Sequence, residues 1–344
     1  MTLTADSLRQ SLVAGHWQGH LPGERELCAR LQVSRDTLRA ALDDLQREGL
    51  LAVSGRRRRR ITRPRNVSKP TCGQVIAALS PRPLSAMSLS TVLRMDELRE
   101  RLARAGYRLE VHVSAACYST RPARALELLI ARSPAAAWLI FESLNPMQKW
   151  FLARSIPCLV LGSCAPGIAL PSVDIDYRAA CRHAGTMLRR KGHKHIALIR
   201  PESPFGGETE SEEGLREALH AGEVSDLQVL RHDGSARHLC SLLGQALRSP
   251  HPPTACIVSR ATHVFTVMIY FLQHGRAIPR DMAVVSRDDE GIFQHTFPTV
   301  TRYASTPSTF ARRVAAATIR LAASGTLPPI SIRILPELIR GDTA

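Results

Sequence analysis

The chain has 344 residues, 44% of them hydrophobic and 22% charged, a length and balance that exclude both a single ordinary core and a disordered chain and fit two or three compact units. The formal net charge of +16 favours a polyanionic partner, and residues 1–70 hold fourteen Arg/Lys against seven Asp/Glu, so a fifth of the chain carries +7 of that excess. No run of about eighteen apolar residues predicts a membrane span, and the opening MTLTADSLRQSLVAG has no basic region before an apolar core, so a cytosolic protein is expected. Eight cysteines are scattered without a C-x-x-C pair, which predicts free thiols and neither a metal site nor a disulfide framework.

In chain order, Leu21–Leu31 reads as a short amphipathic helix, with Pro22 and Gly23 at its start and Leu27 and Leu31 facing inward. A tight turn at Gln32-Val33 follows. Ser34 is placed to cap a second helix that runs to about Glu48 and is stopped by Gly49. Leu38, Leu42 and Leu45 share one face of that helix, with Ala41 beside them, while Arg35 and Arg39 share the opposite face. An apolar back and outward arginines are what a recognition helix needs in a DNA groove. Beyond it Leu50–Val53 and Ile61 are expected to pair across Ser54-Gly55 as a hairpin wing. Its tip and return strand carry Arg56 to Arg60, suited to a narrow minor groove or its phosphates.

Each feature alone has a plainer reading. Arg25 pairs with Glu26 or a neighbouring helix as readily as with a phosphate, an i, i+4 arginine pair is usually a solvated face, and a five-arginine run is often a basic linker. The ordered conjunction of helix, turn, capped helix and wing is what points to DNA.

Thr62–Thr71 is polar, with two prolines, and reads as a linker. After it come β-type runs at Val75–Leu79, Leu109–Val113, Ala137–Phe141, Cys158–Leu161, Ile196–Ile199, Leu227–Leu230, Ala255–Val258 and Met282–Val285. Amphipathic helical stretches alternate with them, among them Leu93–Ala105, Ala123–Ala131, Ala179–Arg190, Gly214–Ala221 and Thr262–His274. This alternation predicts an α/β fold with two parallel sheets, helices on both faces. No phosphate-loop, nucleophile-elbow, zinc-protease or dinucleotide fingerprint is present, so no catalytic residues and no cofactor are expected. His193 and His195 read as solvated imidazoles at a helix-to-strand junction, and Gly206-Gly207 as a flexible loop.

The strings LPGEREL, VSRDTLRAALDDL and EGLL, followed by a glycine-led basic wing, resemble the GntR-type winged helix-turn-helix over about residues 5–63. The resemblance implies double-stranded DNA as partner. It implies Arg25, Ser34, Arg35, Thr37, Arg39 and Gly55 as binding positions, to which the wing adds Arg56, Arg57 and Arg58. The chain departs from the pattern at Gly23, where Ser is usual, and in its arginine-rich wing.

A second resemblance covers about residues 73–341. It rests on IPCLVLG (156–162), PSVDID (171–176), L-x-x-x-GHKHIALI (188–199), IPRDMAVVSRDD (278–289) and PTVT (298–301), and is to the periplasmic-binding-protein-like sensor of LacI/GalR-type regulators. It implies a winged helix-turn-helix at 1–63, a linker at 64–72 and a two-lobed effector-binding and dimerisation domain at 73–344. Lobe 1 is expected at about 73–173 and 301–328, and lobe 2 at about 177–298 and 330–341. The chain would cross between them near 174–177, 298–301 and 328–330.

Ligands of open α/β sheets bind beyond the carboxyl ends of strands. That places Pro81, Arg82, Glu142, Ser143, Ser163, Phe205, Arg260, Asp288 and Asp289 around the expected cleft, with Ser211 where sugar-binding members carry an Arg. Those members also carry Asn-Asp where this chain has Arg260-Ala261. The changes predict an anionic or otherwise atypical effector, or none, with pairing of Arg260 to Asp288 or Asp289 as the equal alternative. Asp174 and Asp176 read as hinge-capping groups.

The expectation is a cytoplasmic, homodimeric transcription regulator, repressing by default, that answers to a small-molecule effector and has no membrane partner. The alternative is a non-exported solute-binding or enzyme-like protein with a basic N-terminal module.

Overall fold

The computed structural model describes residues 4–5, 8, 17, 20–31, 33–47, 51–54, 58–61, 74–220 and 226–344. The chain divides into two compact units, Met1–Thr71 and Cys72–Ala344, so the expected linker at 64–72 lies outside the described residues apart from its place at the division.

In the first unit, α1 (Glu24–Leu31) begins as the Leu27 amide donates to the Gly23 carbonyl at 3.0 Å. The second helix, α2 (Arg35–Arg47), is capped by Ser34, whose hydroxyl accepts from the Thr37 amide at 3.2 Å. Strands β1 (Leu51–Ser54) and β2 (Arg58–Ile61) pair antiparallel, Leu51 opposite Ile61 and Ser54 opposite Arg58. Leu27, Leu38, Leu42, Leu45 and Leu51 are buried together with Leu8 and Leu21. Each such leucine contributes on the order of 1.5–3 kcal/mol. This is a small core, held by one face of each helix.

The second unit contains two six-stranded sheets. The first has the order β13-β7-β6-β5-β3-β4, made of β3 (Val75–Ser80), β4 (Arg108–Val113), β5 (Ala137–Phe141), β6 (Cys158–Leu161), β7 (Ser172–Ile175) and β13 (Ser331–Ile334), all parallel. It is covered by α3 (Leu89–Arg104), α4 (Ala123–Arg132), α5 (Asn145–Ala153) and α10 (Pro307–Ser324).

The second sheet has the order β14-β12-β11-β10-β8-β9, made of β8 (His195–Pro201), β9 (Asp226–His232), β10 (Ala255–Val258), β11 (Ala283–Ser286), β12 (Thr301–Ala304) and β14 (Glu337–Ile339). Its ladders are parallel except β12 with β14. Helices α6 (Tyr177–Arg190), α7 (Gly206–His220), α8 (Ala236–Leu247) and α9 (Ala261–Gln273) cover it.

Strand β3 shows why the sequence chooses this arrangement. All six of its residues are buried, with Ile76 and Ala78 in one core and Ala77 and Leu79 in the other, as a strand covered by helices on both faces requires. The fold is the expected two-lobed one, and each of the eight expected β runs overlaps an observed strand. Strands β7, β12, β13 and β14 were not among them as β runs.

Two expected crossings between lobes shift. Thr301 pairs with Val285, which keeps β12 in the second lobe, and Ser331 pairs with Ser172, which returns β13 to the first. The chain crosses at Asp176, at Ser305-Thr306 and at Leu335-Pro336, not at 298–301 or 328–330. Lobe 1 therefore takes 307–334 in place of 301–328, and lobe 2 extends to Ala304 and resumes at Glu337. The physical reason is that strands of three or four residues take their sheet from the neighbouring edge and not from their own pattern.

Gly206-Gly207 is not a flexible loop. It opens α7, where a side chain at Gly206 would meet Ser163 Cβ at 2.8 Å and one at Gly207 the Tyr177 ring at 2.9 Å. Gly214 lets α7 cross α6, since any Cβ there would overlap the Arg178 carbonyl.

The seven described cysteines are free; Cys72 lies outside the described residues. Burial pushes Cys158 up to about 12 and Cys181 up to about 11. No described helix is long and apolar enough to cross a membrane.

Candidate functional site: a recognition helix and an interlobe cleft

On α2 Leu38, Leu42 and Leu45 are buried while Arg35 and Arg39 are exposed; by helical spacing the two arginines flank the apolar face and do not lie opposite it. Arg35 has no ion pair among the described residues. The Arg39 Nε donates to Glu24 Oε2 at 3.2 Å, with the two side chains 54% and 39% exposed. A pair so open to water is worth about 0–1 kcal/mol and leaves the guanidinium free to turn to another acceptor. The half-exposed Thr37 shares its hydroxyl with that of Ser34 at 2.8 Å. Arg25 is exposed on α1; its alternative partner Glu26 is held by Arg30 at 3.0 Å.

Gly55, Arg56 and Arg57 lie outside the described residues, as does the side chain of Arg58, whose backbone opens β2. Arg59 departs from the expectation that the whole run faces DNA. It is only 18% exposed, donates to Asp43 on α2 at 3.2 Å, and its carbonyl accepts from the Leu21 amide at 3.0 Å. It fastens the β1–β2 hairpin to α2.

In the second unit a cleft of about 1080 Å³ opens between the lobes, at the carboxyl ends of the strands. Arg82, Glu142, Ser163, Phe205, Arg260, Asp288 and Asp289 all line it, and Ser143 does too. Arg82 and Glu142 follow β3 and β5 and pair with each other. Glu142 holds φ 44°, a left-handed conformation that a non-glycine residue adopts only when its surroundings impose it.

Ser211 does not line the cleft. It is fully buried, donating to the Gly207 carbonyl at 2.7 Å and accepting from Arg287 Nη1 at 2.8 Å. Position 211, where the resemblance places an arginine, is here small enough to admit a guanidinium arriving from the end of β11.

Arg287 is the central residue that the sequence reading passed over. It is 2% exposed, lies with Cζ 3.9 Å from the Tyr177 ring centroid, and donates to Glu208 Oε2 at 3.2 Å and Asp288 Oδ2 at 3.4 Å. Glu208 is 1% exposed and takes Arg260 as well, Nε to Oε1 at 2.9 Å. The alternative pairing of Arg260 with Asp288 or Asp289 is thus replaced by Glu208, while Asp289 is taken by Arg302. Burial works against the Glu208 charge, yet Arg287 and Arg260 outweigh it and hold its pKa below the ordinary glutamate value. The signal available in the sequence was an arginine placed one residue beyond the wholly apolar Ala283–Val285, after Ser286.

A third cluster ties the lobes together. Arg333 on β13 makes a two-pronged contact with Glu210 on α7, at 2.7 and 2.8 Å, and the Ser163 hydroxyl donates to Asp174 at 2.7 Å, with Glu210 as its alternative acceptor at 3.1 Å. Burial pushes Asp174 up to about 6 in spite of these bonds. Asp176 caps α6, its Oδ1 accepting from the Ala179 amide at 2.8 Å, whereas Asp174 lines the cleft.

His193 and His195 are less solvated than expected. His195 stacks on His251 with ring centroids 5.1 Å apart, and His193 bonds the Thr254 hydroxyl at 3.0 Å. No His, Cys, Asp and Glu group among the described residues is arranged to hold a metal.

Comparison with known proteins places these two sites in context. Residues 3–61 match the family described as bacterial regulatory proteins, gntR family, and residues 186–344 match the periplasmic binding protein-like domain. The HTH-type transcriptional regulator AglR of Rhizobium meliloti is 29% identical over 148 residues, covering 42% of each chain. The HTH-type transcriptional repressor CytR of Escherichia coli is 27% identical over 154 residues, covering 44% of this chain and 45% of its own. The matches span less than half the length of these curated relatives.

Among solved structures, a regulatory protein of LacI family from Chloroflexus aggregans superposes with a TM-score of 0.71 at 18% identity, over 79% of this chain and 99% of its own. A transcriptional regulator CelR–cellobiose complex does so with 0.69 at 19% identity, over 91% and 92%. At such identities these structures establish the fold. Two family models thus match separate parts of the chain, the gntR-family one at residues 3–61 and the periplasmic binding protein-like one at residues 186–344.

Proposed function

We propose that the protein is a cytoplasmic, sequence-specific transcription repressor, and not an enzyme, whose affinity for its operator is set by a small molecule bound between the lobes. The observation that carries this reading is α2. Its apolar face is buried while Arg35 and Arg39 stand exposed, in a domain that matches the gntR family. Arg35, Thr37 and Arg39 read base edges, Ser34 and Arg25 hold the helix on the phosphates, and Gly55 with Arg56, Arg57 and Arg58 adds salt-sensitive affinity. Two copies grip a pseudopalindromic operator with half-sites about one helical turn apart or a multiple of it.

The cleft supports the effector half of the proposal. Its charged walls come from both lobes, so a ligand that touches both favours one arrangement of the lobes over another. Arg82, Glu142, Ser163, Phe205, Arg260, Asp288 and Asp289 are the proposed contacts, with Ser211 acting from behind through Arg287.

The deciding experiment is a genome-wide map of bound sites followed by footprinting with the Arg35→Ala/Arg39→Ala double variant. Loss of both contacts is expected to remove about 2–6 kcal/mol of discrimination, on the order of thirtyfold or more in affinity for the operator over random DNA. Circular dichroism should remain unchanged. Specific footprints retained by a folded double variant would sink the assignment of α2.

A further inference from the structure

The cleft walls carry eight carboxylates and five guanidiniums, and nearly all are already committed to one another. Glu142 is taken by Arg82, Glu208 by Arg260 and Arg287, and Glu213 by Arg178. Asp288 is taken by Arg287, Asp289 by Arg302, and Asp174 and Glu210 by Arg333. Among the described residues that line the cleft, two charges remain without an ion pair. One is Arg94 on α3, in the first lobe; the other is Glu290, just beyond β11 in the second.

The surroundings of Arg94 are built for an acceptor that the described residues do not supply. Its guanidinium is positioned by the Phe310 ring, 5.0 Å from Cζ to centroid, and not by a carboxylate. Its Nε is shielded from water without a hydrogen-bond partner, and so is the Oγ of Ser305, which also lines the cleft. Leaving a buried donor unpaired is unfavourable, the more so for a charged group, so both atoms are expected to find an acceptor in the working state.

Glu290 is the reverse case. Burial and the Asp289 and Asp288 carboxylates push its pKa up, against Ser88, whose hydroxyl pulls it down. A cation beside it relieves both effects.

We propose that the cleft takes a zwitterionic small molecule, whose anionic group meets Arg94 and Ser305 and whose protonated amine meets Glu290. This rests on the reading of the cleft as an effector site and narrows it. A purely anionic ligand faces an excess of carboxylates over guanidiniums, and a neutral polyol leaves both Arg94 and Glu290 without counter-charge. A zwitterion satisfies both ends and bridges the two lobes as it does so.

The test is thermal melting and titration calorimetry of the full chain with matched probes. These are the standard amino acids, γ-aminobutyrate and 6-aminohexanoate as zwitterions, hexanoate and hexylamine as single charges, and glucose and cellobiose as neutral polyols. The expected result is a melting shift with at least one zwitterion, larger than with either single-charge probe. Arg94→Gln and Glu290→Gln should each weaken that ligand about tenfold to a hundredfold, and Arg94→Lys should retain part of the affinity. Melting of the unliganded variants separates lost binding from lost folding.

A shift with glucose or cellobiose and none with zwitterions overturns the zwitterion assignment and leaves the effector reading standing. An equal shift with hexanoate overturns it in favour of a simple anion site. No shift with any probe overturns it and counts against the effector reading as well.

Discussion

The N-terminal unit and the two-lobed unit both work through arginine, in opposite physical settings. On α2 the guanidiniums stay in water. Arg35 is exposed, and Arg39 has only the open contact with Glu24. In the lobes, Arg287 and Glu208 are almost wholly buried against each other and hold the end of β11 to the start of α7. Charges meant for a polyanion must remain cheap to redirect, whereas charges that shape a cleft wall must not move. The difference between a solvated and a desolvated pair, more than the number of pairs, separates the N-terminal unit from the two-lobed one.

The comparison can be broken most forcefully at Glu208. Replacing it with Ala leaves the buried Arg287 with only the 3.4 Å contact to Asp288 as counter-charge and takes from Arg260 its partner, and the two-lobed unit should lose about 3–5 kcal/mol in denaturant unfolding. Exchanging the pair together, Glu208→Leu with Arg287→Met, should recover much of that loss, since a desolvated pair repays little over apolar packing. A Glu208→Ala protein as stable as the parent would mean that the pair is solvated after all.

A slightly smaller effect is expected from Gly214→Ala. The new methyl runs into the Arg178 carbonyl, which is backbone, so α6 and α7 must separate. Overpacking of this kind destabilises by about 1–3 kcal/mol, readable as a lower melting point of the lobes with the N-terminal unit unaffected. An unchanged melting point would show that the two helices have slack between them.

Asp174 sharpens the comparison through pH. Its folded pKa of about 6 lies above the ordinary aspartate value, so the folded form binds the proton first. Stability should therefore rise as pH falls through 6 and level off near the unfolded pKa of about 3.9, by about 1–3 kcal/mol from this group. The readout is the unfolding free energy of the parent minus that of Asp174→Asn, followed across this range. A difference that is flat with pH would mean Asp174 is solvated at the hinge.

The smallest effect belongs to the N-terminal unit. Glu24→Gln should change its stability by less than about 1 kcal/mol, while operator affinity holds or rises slightly as Arg39 is released. A large drop in stability would place the Arg39–Glu24 pair in the same class as the buried one.

Much of this was legible in the sequence where the determining contacts are local. Ser34 three residues before Thr37, and Leu38, Leu42 and Leu45 at helical spacing, announce a capped amphipathic helix because cap and face lie within one element. The apolar runs of β3, β5, β6 and β10 are equally plain, since a strand buried on both faces has few polar residues to confuse it. The short strands β12 and β13 were placed in the wrong lobe because pairing across an edge, Thr301 to Val285 and Ser331 to Ser172, leaves no mark within four residues.

The cleft follows the same rule. Position at the carboxyl end of a strand identified eight of its lining residues, from Arg82 to Asp289, because that placement follows from strand direction alone. It did not identify which charge faces which. Arg260 meets Glu208, Arg287 threads beside Ser211, and Arg333 reaches Glu210 from more than a hundred residues away.

By itself, then, the sequence determined a capped amphipathic helix with its arginines outward, a basic N-terminal unit, and an α/β body of two parallel sheets. These depend on periodicity, capping and composition, all read within a few residues. Only the tertiary structure decided that Arg59 fastens the β1–β2 hairpin, that Ser211 makes room for Arg287, and that Arg94 and Glu290 alone are left unpaired among the described residues of the cleft wall. Ion pairing inside a fold is a contest among all charges that the packing brings within reach, and its outcome depends on distances that no local pattern encodes.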